Sequence, residues 1–258
     1  MTSDASQVNT SPKLPPVIME RKNEPPFFDE SKLLPPTNEY VCWLDVMGSQ
    51  SIMLRSLGIA SNFVMKLHSA AILAREVYPI ELYPVIDGVY VCSDSQSHIL
   101  NFVNRVYSAL ALTFILETNS FHRFVIRGGL AYGPIIRGKE ALACADILSG
   151  HEDYAKRILL GMPLAQAYQT ERQASPFGLA LHESVRAFAP SGQSVMFGTY
   201  WKWWLSHYQA GDDIIASELF KSLKGHYAWC LKHTISLSYG KEDIDKHRAL
   251  AEEYFSTD

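Results

Sequence analysis

The sequence predicts an α+β fold with its first elements in the order βαββαβ. Three observations predict it. A continuous apolar run, Tyr40-Val41-Cys42-Trp43-Leu44, has strand length and ends at Asp45, as suits a strand covered on both faces. Two short strand-like runs flank the pair Asp87-Gly88. Longer stretches with helical spacing of apolar residues separate these runs from each other and from a fourth, glycine-punctuated one.

In chain order, Met1 to Thr37 carries Pro12, Pro15, Pro16, Pro25, Pro26, Pro35 and Pro36, which supports neither a helix nor a central strand. It is expected to be an extended arm whose apolar clusters Val17-Ile18-Met19 and Pro26-Phe27-Phe28 can dock on the body or a partner. After the first strand, Ser49 to Glu76 reads as one long helix, apolar at Ile52, Leu57, Phe63, Val64 and Leu67. The hairpin strands are Glu81 to Ile86 and Val89 to Cys92. Ser95 to Glu117 is the second helix, and Phe121 to Leu130 the fourth strand, with Gly128, Gly129 and Gly133 at its end. This order is the split βαβ pattern of ferredoxin-like domains. Beyond it, His151 to Arg172 reads as helix and Phe177 to Leu181 and Ser194 to Thr199 as strands. Asp212 to Phe255 is a helical tail following the aromatic cluster Tyr200, Trp201, Trp203 and Trp204. The expected organisation is an arm over 1–37, a domain over 38–210 and a helical extension over 211–258.

Composition narrows the function. A chain of 258 residues that is 47% apolar can bury one sizeable core. With 23 basic against 27 acidic residues, the net charge of -4 lacks the footprint of a nucleic-acid or anionic-membrane binder, so a small substrate is favoured. No apolar run approaches a bilayer span and the polar N-terminus has no export segment, which leads to an expected cytoplasmic location. Cys42, Cys92, Cys144 and Cys230 are widely spaced and read as buried free thiols.

In the split pattern the first and third strands are antiparallel neighbours, which places Asp45 beside Asp87. Carboxylates so paired repel unless one is protonated or a divalent cation sits between them, so a hard-cation site is the economical reading. Either aspartate alone would be an ordinary strand-end or turn residue. Between them, Asp45-Val46-Met47-Gly48-Ser49-Gln50-Ser51 turns from strand to helix through a glycine, so its N–H groups can face a polyphosphate; the plainer reading has Ser49 capping the helix. Arg127, in the run Arg127-Gly128-Gly129-Leu130-Ala131-Tyr132-Gly133, requires an anion, either a ligand phosphate or a structural carboxylate, and its glycines allow close backbone approach.

Taken together, Leu44-Asp45-Val46-Met47-Gly48, Val85-Ile86-Asp87-Gly88 and the series Arg127, Gly129, Gly133 resemble the class III nucleotidyl cyclases over roughly Tyr40 to Glu171. The resemblance implies a head-to-tail homodimer with active sites at its interface. Asp45, Asp87 and the carbonyl of Val46 would hold two divalent ions, Mn²⁺ or Mg²⁺. Met47, Gly48, Ser49, Gln50 and Arg127 would meet the phosphates of a nucleoside triphosphate. Conventional members carry a Gly-x-x-x-Asn-x-x-x-Arg helix, whereas Gly161 to Gln169 has Ala165 and Gln169 at those places, leaving Gln166, Tyr168, Lys156 and Arg157 as candidates for the work. Tyr83 occupies the position of the adenine-binding lysine. The Ala165 to Glu171 stretch is most similar to the Pycsar pyrimidine cyclases of bacterial antiphage defence. That likeness implies conversion of UTP, with CTP as alternative, to a 3′,5′-cyclic nucleotide read by a separate effector protein. A diguanylate cyclase is set aside because its Gly-Gly-Asp/Glu-Glu-Phe hairpin is replaced by Ile86-Asp87-Gly88-Val89. The other reading is an inactive, nucleotide-binding sensor.

Overall fold

The computed structural model describes residues 27–205 and 209–256, and the chain divides into two compact units. The smaller joins residues up to Leu34 with Gly138–Ile158; the larger comprises Pro35–Arg137 and Leu159–Asp258. The apolar cluster Val17-Ile18-Met19 lies outside the described residues, and Phe27 and Phe28 are exposed.

The larger unit is built on β1 (Thr37–Val46), α1 (Ser49–Arg55), α2 (Leu57–Arg75), β2 (Glu81–Val85), β3 (Gly88–Ser93), α3 (Gln96–Leu116) and β4 (Ile126–Arg137). In the smaller unit lie α4 (Asp146–Ser149) and α5 (Glu152–Ala155). The larger unit then continues with β5 (Leu159–Leu160), α6 (Met162–Glu171), β6 (Leu179–Leu181), α7 (Glu183–Ala187), β7 (Tyr200–Trp201), α8 (Asp212–Cys230), α9 (Thr234–Leu237) and α10 (Lys241–Phe255). Its sheet runs β2-β3-β1-β4-β6-β7, with β5 paired to β4. The first four strands have the predicted split order, with β1 antiparallel to both β3 and β4. The fold is α+β, as expected.

Alternation along β1 explains why its sequence is apolar throughout. Tyr40, Cys42, Leu44 and Val46 enter the large core with Phe63 and Leu67 of α2 and Phe102 and Val106 of α3, while Val41 and Trp43 enter a smaller core with Ala131 and Ala167 on the opposite face. The C-terminal extension is anchored by Asp212 at the start of α8. Its carboxylate accepts from Asn104 Nδ2 at 2.7 Å and Ser108 Oγ at 2.6 Å, so a buried charge is satisfied by two α3 donors. α2 and α3 are long and apolar enough to cross a membrane by length and composition, against the expectation that no stretch would be. α3 serves as a core helix, with 61% of its apolar window buried, whereas α2 buries one face, 39% of its window. The cysteines resolve as expected, all free and buried.

Several boundaries differ from the expectation. The single helix over Ser49 to Glu76 is two, because Ser56 takes an extended conformation, ends α1 with its N–H on the Ile52 carbonyl and caps α2 with its hydroxyl. The fourth strand begins at Ile126 rather than Phe121, where Asn119 folds a 3₁₀ turn. It also runs past its glycines, since β1 pairs with it from Val46↔Ile126 to Thr37↔Ile135. The helix expected over His151 to Arg172 is broken by β5 and by Gly161 (φ 149°), and restarts with Pro163 in its first turn, where a missing N–H costs nothing. Ser194 to Thr199 is not a strand. Gly198 (φ 82°) interrupts it, and Tyr200–Trp201 pairs with β6 instead.

α6 lies against β4 through its backbone. A Cβ on Gly129 would stand 2.2 Å from the Ala167 carbonyl oxygen and 2.6 Å from the Glu171 nitrogen, and one on Gly133 3.2 Å from Pro163. The glycines of the Arg127-to-Gly133 run therefore admit a helix of the same chain. We expect Gly129→Ala to destabilise the protein by about 1–3 kcal/mol or more, since backbone rather than a side-chain tip must move. Urea unfolding of the variant beside the wild type measures it; an unchanged midpoint would show that α6 is not held at this distance.

Candidate active site

The residues singled out by sequence converge where β1 ends. Asp45 pairs with Gly88 on one side and Arg127 on the other, so Asp45 and Arg127 share the face that α6 covers. Asp87 precedes Gly88 at the tip of the β2–β3 hairpin. The two-residue turn is Ile86-Asp87, not Asp87-Gly88, because Val85 pairs with Gly88. Gly88 is instead required inside β3: a Cβ there would strike the Trp43 ring and the Leu44 carbonyl, both at 2.5 Å. Ile86 takes a positive φ of 47° and is 85% exposed, a costly conformation for a β-branched residue at the position that aims Asp87.

Ser49 does not cap its helix. Gly48, left-handed at φ 71°, is the N-cap and provides no side-chain bond, while the Ser49 hydroxyl donates to the Asp87 carboxylate, linking the β1–α1 turn to the hairpin. Met47 is held by its N–H on the Val125 carbonyl at 2.8 Å, and Gln50 is exposed.

Arg127 meets Glu171, which the sequence reading did not select. Arg127 Nε bonds the Glu171 carboxylate, and both are largely buried, with side-chain exposures of 18% and 3%. The signal was present. Pro163, Ala167, Thr170 and Glu171 form the inward face of α6, and a carboxylate at a core position demands a buried partner. Three carboxylates, Asp45, Asp87 and Glu171, thus act on one another around one guanidinium. Burial, then the charges of Glu171 and Asp87, push Asp45 up to about 7 against the opposing pull of Arg127. Burial raises Glu171 as well, and Arg127 opposes it.

The remaining candidates are distributed differently. Tyr83 sits on the same face, paired with Tyr90, and its hydroxyl donates to Glu81 Oε2 at 2.8 Å. Glu81 and Glu39 in turn bind Arg137, each at 2.5 Å, an ion cluster the sequence reading did not anticipate. Trp43 lies between, with ring centroids 4.5 Å from Tyr90 and 5.9 Å from Tyr168. Tyr168, Ala165 and Gln169 are on the exposed side of α6, Tyr168 against Arg172, and Gln166 is half-buried. Lys156 and Arg157 belong to the smaller unit, where Lys156 pairs with Asp153 at 3.3 Å.

Among the described residues no three His, Cys, Asp or Glu side chains form a metal-binding group. The donor set nonetheless fits hard cations of the Mg²⁺ or Mn²⁺ kind: Asp45 and Asp87 are oxygen donors whose mutual repulsion a cation would relieve, while Glu171 is committed to Arg127.

No protein-family model matches the chain, and no curated protein matches it. Solved structures do. The monomeric guanylyl cyclase domain of the RhoGC fusion protein from Blastocladiella emersonii is 16% identical with a TM-score of 0.43, covering 59% of this chain and 85% of that one. The guanylate cyclase domain of RhGC from Catenaria anguillulae in complex with GTP is 14% identical with a TM-score of 0.40, covering 57% and 79%. An adenylate/guanylate cyclase/hydrolase from Silicibacter pomeroyi is 14% identical with a TM-score of 0.45, covering 64% and 92%. Likenesses at this level decide nothing about the site, whose chemistry is carried by its own side chains.

The raised Asp45 pKa sets a pH dependence. Moving from 3.8 unfolded to about 7 folded, Asp45 binds a proton more tightly in the native state, so its contribution to stability is full below about pH 4 and is lost as pH rises through 7. Metal-free wild type should therefore lose stability over that window relative to Asp45→Asn. Thermal melts of both at half-unit pH steps in a chelator test this, and parallel curves would refute it.

Proposed function

We propose that this chain is a metal-dependent nucleotidyl cyclase acting on a pyrimidine nucleoside triphosphate. The observation that carries the reading is the meeting of Asp45, at the end of β1, and Asp87, in the β2–β3 turn, beside Arg127, at a strand-to-helix turn whose glycine leaves the helix without a side-chain cap. Two carboxylates would hold divalent ions there with the Val46 carbonyl, and Mg²⁺ or Mn²⁺ so bound supplies Lewis acidity toward the ribose 3′-hydroxyl and charge neutralisation at the departing pyrophosphate. Ser49 orients the Asp87 carboxylate. Arg127 exchanges Glu171 for the phosphates, and the leading N–H groups of α1 next to Met47, Gly48 and Gln50 receive a further phosphate oxygen.

The base would lie along the half-buried rings of Tyr83 and Tyr90, which Trp43 supports from the small core beneath. Because Tyr83 donates its proton to Glu81, it presents a lone pair to a ligand, which suits the N3–H of uracil or the amine of cytosine. UTP, giving cyclic UMP, is the substrate we favour, within the antiphage signalling role suggested by the resemblance to Pycsar cyclases, with the product read by a separate effector in the cytoplasm. The exposed side of α6, with Ala165, Tyr168 and Gln169, would face the second copy in a head-to-tail homodimer and receive from it the groups the conventional asparagine and arginine provide. One observation favours the inactive sensor instead: Arg127 is already neutralised by Glu171.

Incubating the full chain with Mn²⁺ and each ribonucleoside triphosphate, with products identified by mass, separates the two. A cyclase releases pyrophosphate and a cyclic nucleotide; a sensor binds and releases the triphosphate intact. Asp45→Asn and Asp87→Asn should each lower turnover by at least 100-fold, about 2.7 kcal/mol in the barrier, while melting no lower than wild type. Substantial turnover by both variants would remove the two-metal site.

Base choice has its own test. In competition among the four triphosphates at equal concentration UTP should be consumed first, and Tyr83→Lys, which replaces an aromatic acceptor by a cationic donor, should erode that preference. Wild-type preference for ATP or GTP would overturn the pyrimidine assignment.

A further inference from the structure

Tyr83 heads a network of hydrogen-bonded and charged groups that crosses the sheet from β2 to β4. Its hydroxyl donates to Glu81 Oε2 at 2.8 Å, and Arg137 Nε donates to the same oxygen at 2.5 Å. Arg137 Nη2 continues to Glu39 Oε2 at 2.5 Å and Nη1 to the Thr37 hydroxyl at 3.3 Å, which itself donates to Glu39 Oε1 at 2.9 Å. The charges of Glu39, Arg137 and Glu81 all act on Cys92 of β3, the strand that the network crosses. Arg137 and Glu39 are 8% and 5% exposed, so that end is buried, whereas the Glu81 side chain is 39% exposed and forms the open end beside Tyr83.

The polarity of the Tyr83 hydroxyl follows from that arrangement. A guanidinium keeps its protons and can only donate, so the oxygen shared by Arg137 and Tyr83 must accept from both. Tyr83 therefore spends its proton on Glu81. Burial, and after it the bond to Glu81, raise the Tyr83 pKa, which keeps that proton in place. Only lone pairs remain for a ligand. A phenol without such a neighbour turns its proton to suit donor or acceptor alike and tells neither pyrimidine from the other. The two pyrimidines are opposite at both atoms of the edge that distinguishes them: uracil has N3–H and a 4-carbonyl, cytosine a bare N3 and a 4-amine. An oxygen that can only accept matches one base and sets lone pair against lone pair with the other.

We propose that Glu81 is a positioning residue that makes Tyr83 a one-way acceptor, that Arg137 and Glu39 hold it in that role, and that the site consequently discriminates between UTP and CTP. The inference rests on the pyrimidine nucleotide reading above and adds to it the residue that chooses between the two bases. Tyr83 alone cannot make that choice. With uracil as the favoured base, Tyr83 meets N3–H.

The α,β-methylene analogues of UTP and CTP, which cannot release pyrophosphate, are titrated calorimetrically into the full chain with Mg²⁺, with the ATP and GTP analogues beside them. The wild type should bind the two pyrimidine analogues with affinities about tenfold or more apart, the UTP analogue the tighter. Glu81→Ala should bring them within about threefold, chiefly by tightening the weaker one, a gain that damage to the fold does not produce. Glu81→Gln keeps an amide oxygen for Arg137 and Tyr83 to share and should restore the wild-type ratio. In a Tyr83→Phe background Glu81→Ala should change the ratio no further, since Glu81 acts through the hydroxyl. Equal affinities in the wild type, or an unchanged ratio in Glu81→Ala that melts like wild type, would overturn the role of Glu81 and leave the pyrimidine reading standing. Binding of neither pyrimidine analogue, or tighter binding of a purine one, would overturn both.

Discussion

The architecture depends on how closely one helix can approach one strand. Gly129 and Gly133 remove the side chains that would hold α6 away from β4, so the helix backbone settles directly on the sheet. That seating fixes the reach of Glu171, the last residue of α6, and so delivers a carboxylate to Arg127 at the end of β1. From there the electrostatics follow. One guanidinium cannot neutralise three carboxylates, and Asp45 is pushed up first by its burial and then by the charges of Glu171 and Asp87. A helix placed only an ångström or two farther out would leave Arg127 unpaired and Asp45 with one fewer negative neighbour.

The two faces of the sheet are unlike, and the difference separates stability from chemistry. One face carries the large core, where α2, α3 and the C-terminal helices bury aromatic and aliphatic side chains around Tyr40, Leu44 and Trp203. The other carries a small core around Val41 and Trp43, then Asp45, Arg127, and the Arg137 cluster with Glu39 and Glu81. Burying charge on that second face costs stability that the first face offsets.

Much of this was legible in the sequence because it is local. The apolar run ending at Asp45, the hairpin bearing Asp87 and the strand bearing Arg127 each announce themselves within a few residues, and the split βαβ order follows from their succession. Glu171 shares its helical face with Pro163, Ala167 and Thr170, but its partner lies 44 residues away and is identified only once α6 is seated on β4. The glycines were read as allowing close backbone approach, and what approaches is a helix; sequence shows that something comes near, not what. Ser49 shows the same limit, since a serine after a glycine reads as a cap until Asp87 is brought to it. The helix breaks at Ser56 and Gly161 escaped notice because apolar periodicity continues across both.

Ile86 carries one more implication. A branched, solvent-facing side chain with φ 47° is a poor choice for a tight turn, where glycine or asparagine would relax the backbone. The hairpin tip is thus wound like a spring against the ladder that clamps both its arms, and a wound tip has fewer directions in which to wander than a slack one. Rigidity at that point is obtained from an unfavourable residue rather than from added contacts. Selection for thermal robustness alone would replace it early, and its replacement would trade a firmer fold for a less firmly aimed aspartate.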